Sequence, residues 1–92
     1  MEDVRGALAA NLAELRKEEN LTQAEFAARF NYSDKAVSKW ERGDSLPDVV
    51  MLKTIADLYG LRVDDLLTED GVASALAEAV DYAHGKNVDV FL

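Results

Sequence analysis

Few folds tolerate a chain that must stop one helix and start another within three residues. Residues 21–48, LTQAEFAARFNYSDKAVSKWERGDSLPD, carry that constraint. Thr22 suits a helix N-cap, where its hydroxyl accepts a backbone N–H left without a partner in the first turn. Glu25, three residues on, is spaced to complete a capping box. Phe26, Ala27 and Phe30 then make one apolar stripe on a short helix. Asn31-Tyr32 interrupts it, Asn tolerating the left-handed backbone that a tight helix stop requires. Ser33 caps a second helix, with Val37 and Trp40 on its inward face and Gly43 at its end. Its outward positions, Asp34, Lys35, Ser38 and Lys39, are all polar. Two short helices, a tight turn and an exposed polar second helix make a helix-turn-helix. That arrangement lays its second helix in a DNA major groove.

The run SDKAVSKWERG, with LTQAEFA before it and LPD after it, resembles the lambda-repressor-like (xenobiotic-response-element type) helix-turn-helix family of bacterial and phage regulators. The resemblance extends from about Leu8 to Leu67 and implies an all-α domain of five helices, acting as a dimer on palindromic operators. It also implies that Arg16, seven residues before Gln23, pairs with Glu41 of the W-E-x-G segment; a phosphate contact is the other use of this arginine. Two positions depart from the family pattern. Asn31-Tyr32 stands where Gly-Val is common, and Arg62 stands where a capping Ser or Thr is common before the fifth helix.

Ninety-two residues allow one domain with a modest core. Without cysteine there is neither a disulfide framework nor a thiolate metal site. Glu2 and Asp3 replace the basic start of a signal peptide, and no apolar run approaches the roughly 20 residues of a membrane span. A cytoplasmic protein without a membrane partner is expected. The net charge of −8 opposes the basic footprint usual in nucleic-acid binding. It is unevenly spread. In residues 22–53, Arg29, Lys35, Lys39, Arg42 and Lys53 balance Glu25, Asp34, Glu41, Asp44 and Asp48. Residues 54–92 set two bases against eight acids, so the excess acid lies away from the helix-turn-helix. A neutral reading head on an acidic body predicts weak non-specific DNA binding.

Leu8, Leu12 and Leu15 mark one buried stripe on a first helix, Val4 to Glu18, capped by Asp3. A fourth helix is predicted from Pro47 to about Tyr59, with Val49, Leu52, Ile55, Ala56 and Tyr59 inward and Gly60 closing it. Val63, Leu66 and Leu67 form a short fifth helix; its Asp64 and Asp65 read as a solvated face, because no third cation ligand is in reach. The composition breaks at Thr68–Gly71, which divides a DNA-binding domain, residues 1–70, from a C-terminal helix and tail, residues 71–92. Val72, Leu76, Val80 and Ala83 stripe that helix, which is marginal alone and must pack on its own domain or on a second subunit. Residues 72–92 are expected to form the main dimer contact, the competing outcome being a stripe folded back on its own domain. The tail, Val88 to Leu92, reads as a strand, an interface arm or the stump of a longer chain.

No catalytic constellation is present. His84 stands alone near the end of the alanine-rich helix, and there is no glycine-rich phosphate loop and no metal-ligand cluster. Neither an enzyme, a cofactor nor a metal is expected. The residues placed at DNA are Gln23, Ser33, Asp34, Lys35, Ser38, Lys39 and Arg42. The family uses the Gln23 position for phosphate, and positions 35 and 39 for base edges, where lysine donates to guanine O6 and N7. The bland alternatives are an exposed first-turn residue and a solubilising face. Asp34 either accepts from a cytosine amino group or supports the helix N-terminus, the second being favoured. Ser38 touches base or phosphate, and Arg42 phosphate. The expected function is sequence-specific binding of double-stranded DNA as a homodimer, repressing transcription from a palindromic operator, with any signal arriving through concentration or a protein effector. The alternative is a protein-interaction module, antitoxin-like or antirepressor-like, using the acidic surface. DNA reading asks that Gln23, Lys35, Lys39 and Arg42 share one exposed face free of carboxylates.

Overall fold

Most helix starts in this chain are set by a side-chain oxygen that accepts a first-turn N–H. The computed structural model describes residues 3–78, and all regular structure among them is helical. Helix α1, Val4–Glu18, begins where Asp3 Oδ1 accepts from the Gly6 N–H at 3.0 Å. Helix α2, Gln23–Ala28, carries the full capping box: Thr22 Oγ1 accepts from Glu25 N–H at 3.1 Å, and Glu25 Oε1 from Thr22 N–H at 2.8 Å. That backbone bond, with the one to the Thr22 side chain, holds the Glu25 carboxyl below its ordinary pKa. Helix α3, Asp34–Arg42, starts on Ser33, whose hydroxyl accepts from Ala36 N–H at 3.2 Å.

The stops are equally local. Asn31 takes φ 59°, the left-handed conformation expected of it in the turn between α2 and α3. Tyr32 fills the place where small apolar residues are common. Its ring lies 5.2 Å from that of Trp40, and its hydroxyl donates to Asp48 at 3.4 Å, tying the turn to the next helix start. At the end of α3, Gly43 adopts φ 77°. Its N–H donates to Trp40 O at 3.1 Å and the Asp44 N–H to Lys39 O at 2.9 Å, the pair of bonds that makes a Schellman stop.

Helix α4, Val49–Leu58, differs from expectation at its start. Asp48, not Pro47, sets the boundary, because its carboxylate accepts from Met51 N–H at 2.8 Å; the buried Pro47 lies just outside. Val49, expected inward, is 80% exposed, and Val50 beside it 75%. Helical side chains lean toward the N-terminus, so a first-turn residue overhangs the end of its helix rather than the core. Ile55 and Ala56 are the buried residues, with Met51, Leu52 and Tyr59 packed alongside. Helix α5, Val63–Leu67, has only the reverse half of a box, Asp65 Oδ2 accepting from Arg62 N–H at 2.9 Å. A guanidinium cannot accept, so Arg62 supplies no cap.

Residues 71–78 form a further helical segment, here α6. Its first apolar residue, Val72, is fully buried in the same core as Leu8, Leu12, Leu15, Phe26, Val37, Trp40, Ile55 and Leu66, and Leu76 packs against that core. The first half of the apolar stripe therefore does not wait for a second subunit, and the break at residue 71 is not an edge of the core. Val80, Ala83, His84 and the tail lie outside the described residues. Gly71 is required by close approach, since a Cβ there would run into the Asp65 carbonyl oxygen.

The α1–α5–α6 junction is held by Asn11, the one buried polar residue among those described. Its Nδ2 lies 2.8 Å from the carbonyl oxygens of Leu66 and Thr68 and 3.1 Å from that of Asp65. Its Oδ1 accepts from Val72 N–H at 3.3 Å. One amide thus serves the last carbonyls of α5 and a first-turn N–H of α6, groups a helix cannot satisfy internally.

Candidate nucleic-acid interface

Helix α3 buries one face and offers the other. Val37 and Trp40 are in the core, which makes Trp40 a packing residue rather than a stacking platform. On the open side Asp34, Lys35, Ser38, Lys39 and Arg42 join Gln23, the first residue of α2, around a shallow depression of about 350 Å³. Six of the seven residues expected at DNA are thus gathered on one surface. Ser33 does not line it, its hydroxyl being taken up by the α3 cap.

The third helix is anchored beneath this surface by Arg16 of α1. Its Nε donates to Glu41 Oε2 at 2.7 Å, Nη2 to Glu41 Oε1 at 3.0 Å, and Nη1 to Leu21 O at 2.9 Å. The side chains are only 17% and 9% exposed, so Arg16 belongs to the ion pair and not to a phosphate contact. The carboxylate raises the guanidinium above its ordinary pKa. Glu41 does more than the resemblance implied. Its Oε1 also accepts from Gln23 Nε2 at 3.2 Å, which aims the Gln23 amide and leaves it one free N–H at the depression.

The grouping condition for DNA reading is met; the absence of carboxylates is not. Asp34 lies among the cations, and Asp44 Oδ2 accepts from Arg42 Nε at 2.9 Å. The same arginine's Nη1 donates to Ser38 Oγ at 2.7 Å. Glu41 and Asp44 are the residues that spacing alone passed over. The W-E-x-G run flagged the first, and an acid directly after a left-handed glycine was the available sign of the second.

A helix-turn-helix family model matches residues 12–66, more than half of the chain. The chain belongs to the helix-turn-helix family. It is of the lambda-repressor-like type that the SDKAVSKWERG run resembled. It is similar to the HTH-type transcriptional activator BcrR of Enterococcus faecalis, 34% identical over 77 residues, which are 84% of this chain and 37% of that protein. This chain thus spans little more than a third of that relative's length. It is also similar to an uncharacterized HTH-type transcriptional regulator, y4dJ, of Sinorhizobium fredii (strain NBRC 101917 / NGR234), 38% identical over 66 residues, covering 72% of this chain and 86% of that one. Among solved structures, the clp gene regulator ClgR of Corynebacterium glutamicum superposes with a TM-score of 0.63 at 25% identity, over 95% of this chain and 90% of that one. The depression lies on the second helix of the motif that defines this family. Among the described residues no helix is long and apolar enough to cross a membrane.

Proposed function

We propose that this chain recognises a palindromic DNA operator as a homodimer and represses transcription by occupying the promoter. Lys35 and Lys39 read base edges on this reading, while Gln23 and Arg42 hold phosphates and Ser38 touches base or backbone. Asp34 serves the α3 N-terminus. The observation that carries the reading is the gathering of these side chains around one depression on the exposed side of a helix whose other side is locked into the core. Half-sites about one helical turn apart suit two such helices related by a two-fold axis. The similar BcrR is named an activator, and activation is the other sign that the same DNA contacts would serve.

Selection of bound sequences from a random duplex pool tests the reading. Lys35→Ala or Lys39→Ala should then relax preference at particular base pairs, each by about 1–3 kcal/mol. Gln23→Ala should weaken all sequences nearly alike. Recovery of no preferred sequence, or unchanged preference in both lysine variants, overturns it. Asp34 and Asp44 on the same face are what favour the alternative of an acidic protein-interaction module. That module would enrich no duplex.

Dimerisation is proposed to rest on the C-terminal segment beyond the residues committed to the core. A truncation after Glu78, rather than at residue 70, keeps Val72 and Leu76 in place. In sedimentation the full chain should be a dimer and the truncated one a monomer. Equal states for the two would remove the segment from that role.

A further inference from the structure

We propose that Asp44 is a specificity-determining residue, a built-in competitor that keeps Arg42 off loosely placed phosphates. The inference rests on the DNA-binding reading above and concerns how the same face discriminates between sequences.

Arg42 is the last residue of α3 and would ordinarily be a free cation at the rim of the reading surface. Here two of its three guanidinium nitrogens are engaged within the chain. Nε donates to Asp44 at 2.9 Å and Nη1 to Ser38 Oγ at 2.7 Å, which lays the side chain back along its own helix. The carboxylate is not a wandering neighbour. Asp44 follows Gly43 at φ 77°, and its own N–H is fixed to Lys39 O at 2.9 Å, so the helix stop places the acid beside the arginine. Both side chains are more than half exposed, at 59% and 57%, so the pair is weak and open to exchange.

A weak internal partner discriminates between two kinds of phosphate. On an unrelated duplex, phosphates meet the rim in many registers, none held in place by other contacts. For each of these the carboxylate is already in position. On a fitted operator, Gln23, Lys35 and Lys39 fix the register, and one phosphate stands at Arg42 long enough to displace Asp44. The cost of exchange therefore falls mainly on non-specific binding. The balance of charge agrees. With Arg42 neutralised by Asp44, the depression keeps Lys35 and Lys39 against Asp34, on a chain of net charge −8.

The test compares the full chain with Asp44→Asn, Arg42→Ala and the double variant. Affinities are measured against salt on an operator selected from a random pool and on a scrambled duplex of equal length. Circular dichroism melting checks that each variant is folded. Asp44→Asn should raise affinity for the scrambled duplex by up to about fivefold near 0.1 M salt. It should also steepen the plot of log K against log salt by about 0.9, the increment of one phosphate contact. Operator affinity should rise less, so the ratio between the two falls. In the Arg42→Ala background the Asp44→Asn change should do nothing. A gain that persists there is a general field effect and overturns the proposal. So does an equal loss on both duplexes, which makes Asp44 a residue that positions Arg42 for phosphate. If the parent chain prefers no sequence at all, it is the DNA-reading assignment that fails instead.

Discussion

Glu41→Ala should lower the stability of this domain by about 3 kcal/mol, the lower end of what breaking a buried ion pair costs. The lower end applies because Arg16, at 17% exposure, still reaches some water and keeps its bond to the Leu21 carbonyl. What is lost is the two-point fork at 2.7 and 3.0 Å that locks α3 to α1, together with the acceptor for Gln23. Urea unfolding checks the stability, and binding to a selected duplex checks the second consequence, since Gln23 loses the contact that aims it. Glu41→Gln should retain part of the geometry without the charge and fall between the two. A change within about 0.5 kcal/mol for Glu41→Ala, the size of an ordinary surface substitution, would mean that the fork holds nothing.

An effect of the same size is expected at Asn11. Asn11→Ala removes the side-chain donor that serves the Asp65, Leu66 and Thr68 carbonyls, the last of which keeps the Gly71 N–H, and the acceptor for Val72 N–H. A buried group left without a partner costs about 1–3 kcal/mol, and water admitted to the gap recovers part of it, so about 3 kcal/mol is the expected total. That corresponds to a fall in Tm of roughly 12–24 °C for a domain of this size. Asn11→Asp should do worse despite its matching shape, because it turns a second oxygen toward the three carbonyls. A scanning calorimetry trace for Asn11→Ala within about 3 °C of the parent would show that the amide is dispensable.

Those two residues divide what was legible in the sequence from what was not. The capping residues Asp3, Thr22, Glu25 and Ser33 could be read directly, because each acts three residues away. The two faces of α3 could be read as well, because helical periodicity separates Val37 and Trp40 from Lys35 and Lys39. The Arg16–Glu41 pair came through family resemblance; no local pattern joins residues 25 positions apart. Asn11 went unread although it stands at helical spacing from Leu8 and Leu15, on the very stripe assigned to the core. A polar residue there needs partners, and these lie 54 to 61 residues away. Val72 was misjudged for a related reason. Five helices seemed enough to close the core, yet room for a sixth depends on how α1 and α5 meet. At the candidate site, the shared surface was expected from α3's periodicity. The engagement of Arg42 by Asp44 was not, because it depends on the direction the chain takes after Gly43.

The reach of the Asn11 contacts also bears on how the protein is made. A ribosome releases α1 first, with a polar amide on the face that must become its driest. The carbonyls and the N–H that satisfy that amide belong to residues 65–72, which emerge after the whole helix-turn-helix has been synthesised. Until then the nascent α1 can dock on α3 through its leucines only with Asn11 still wet. Closing so long a loop is slow relative to pairing neighbouring helices. The helix-turn-helix is thus synthesised before the residues that complete the Asn11 contacts.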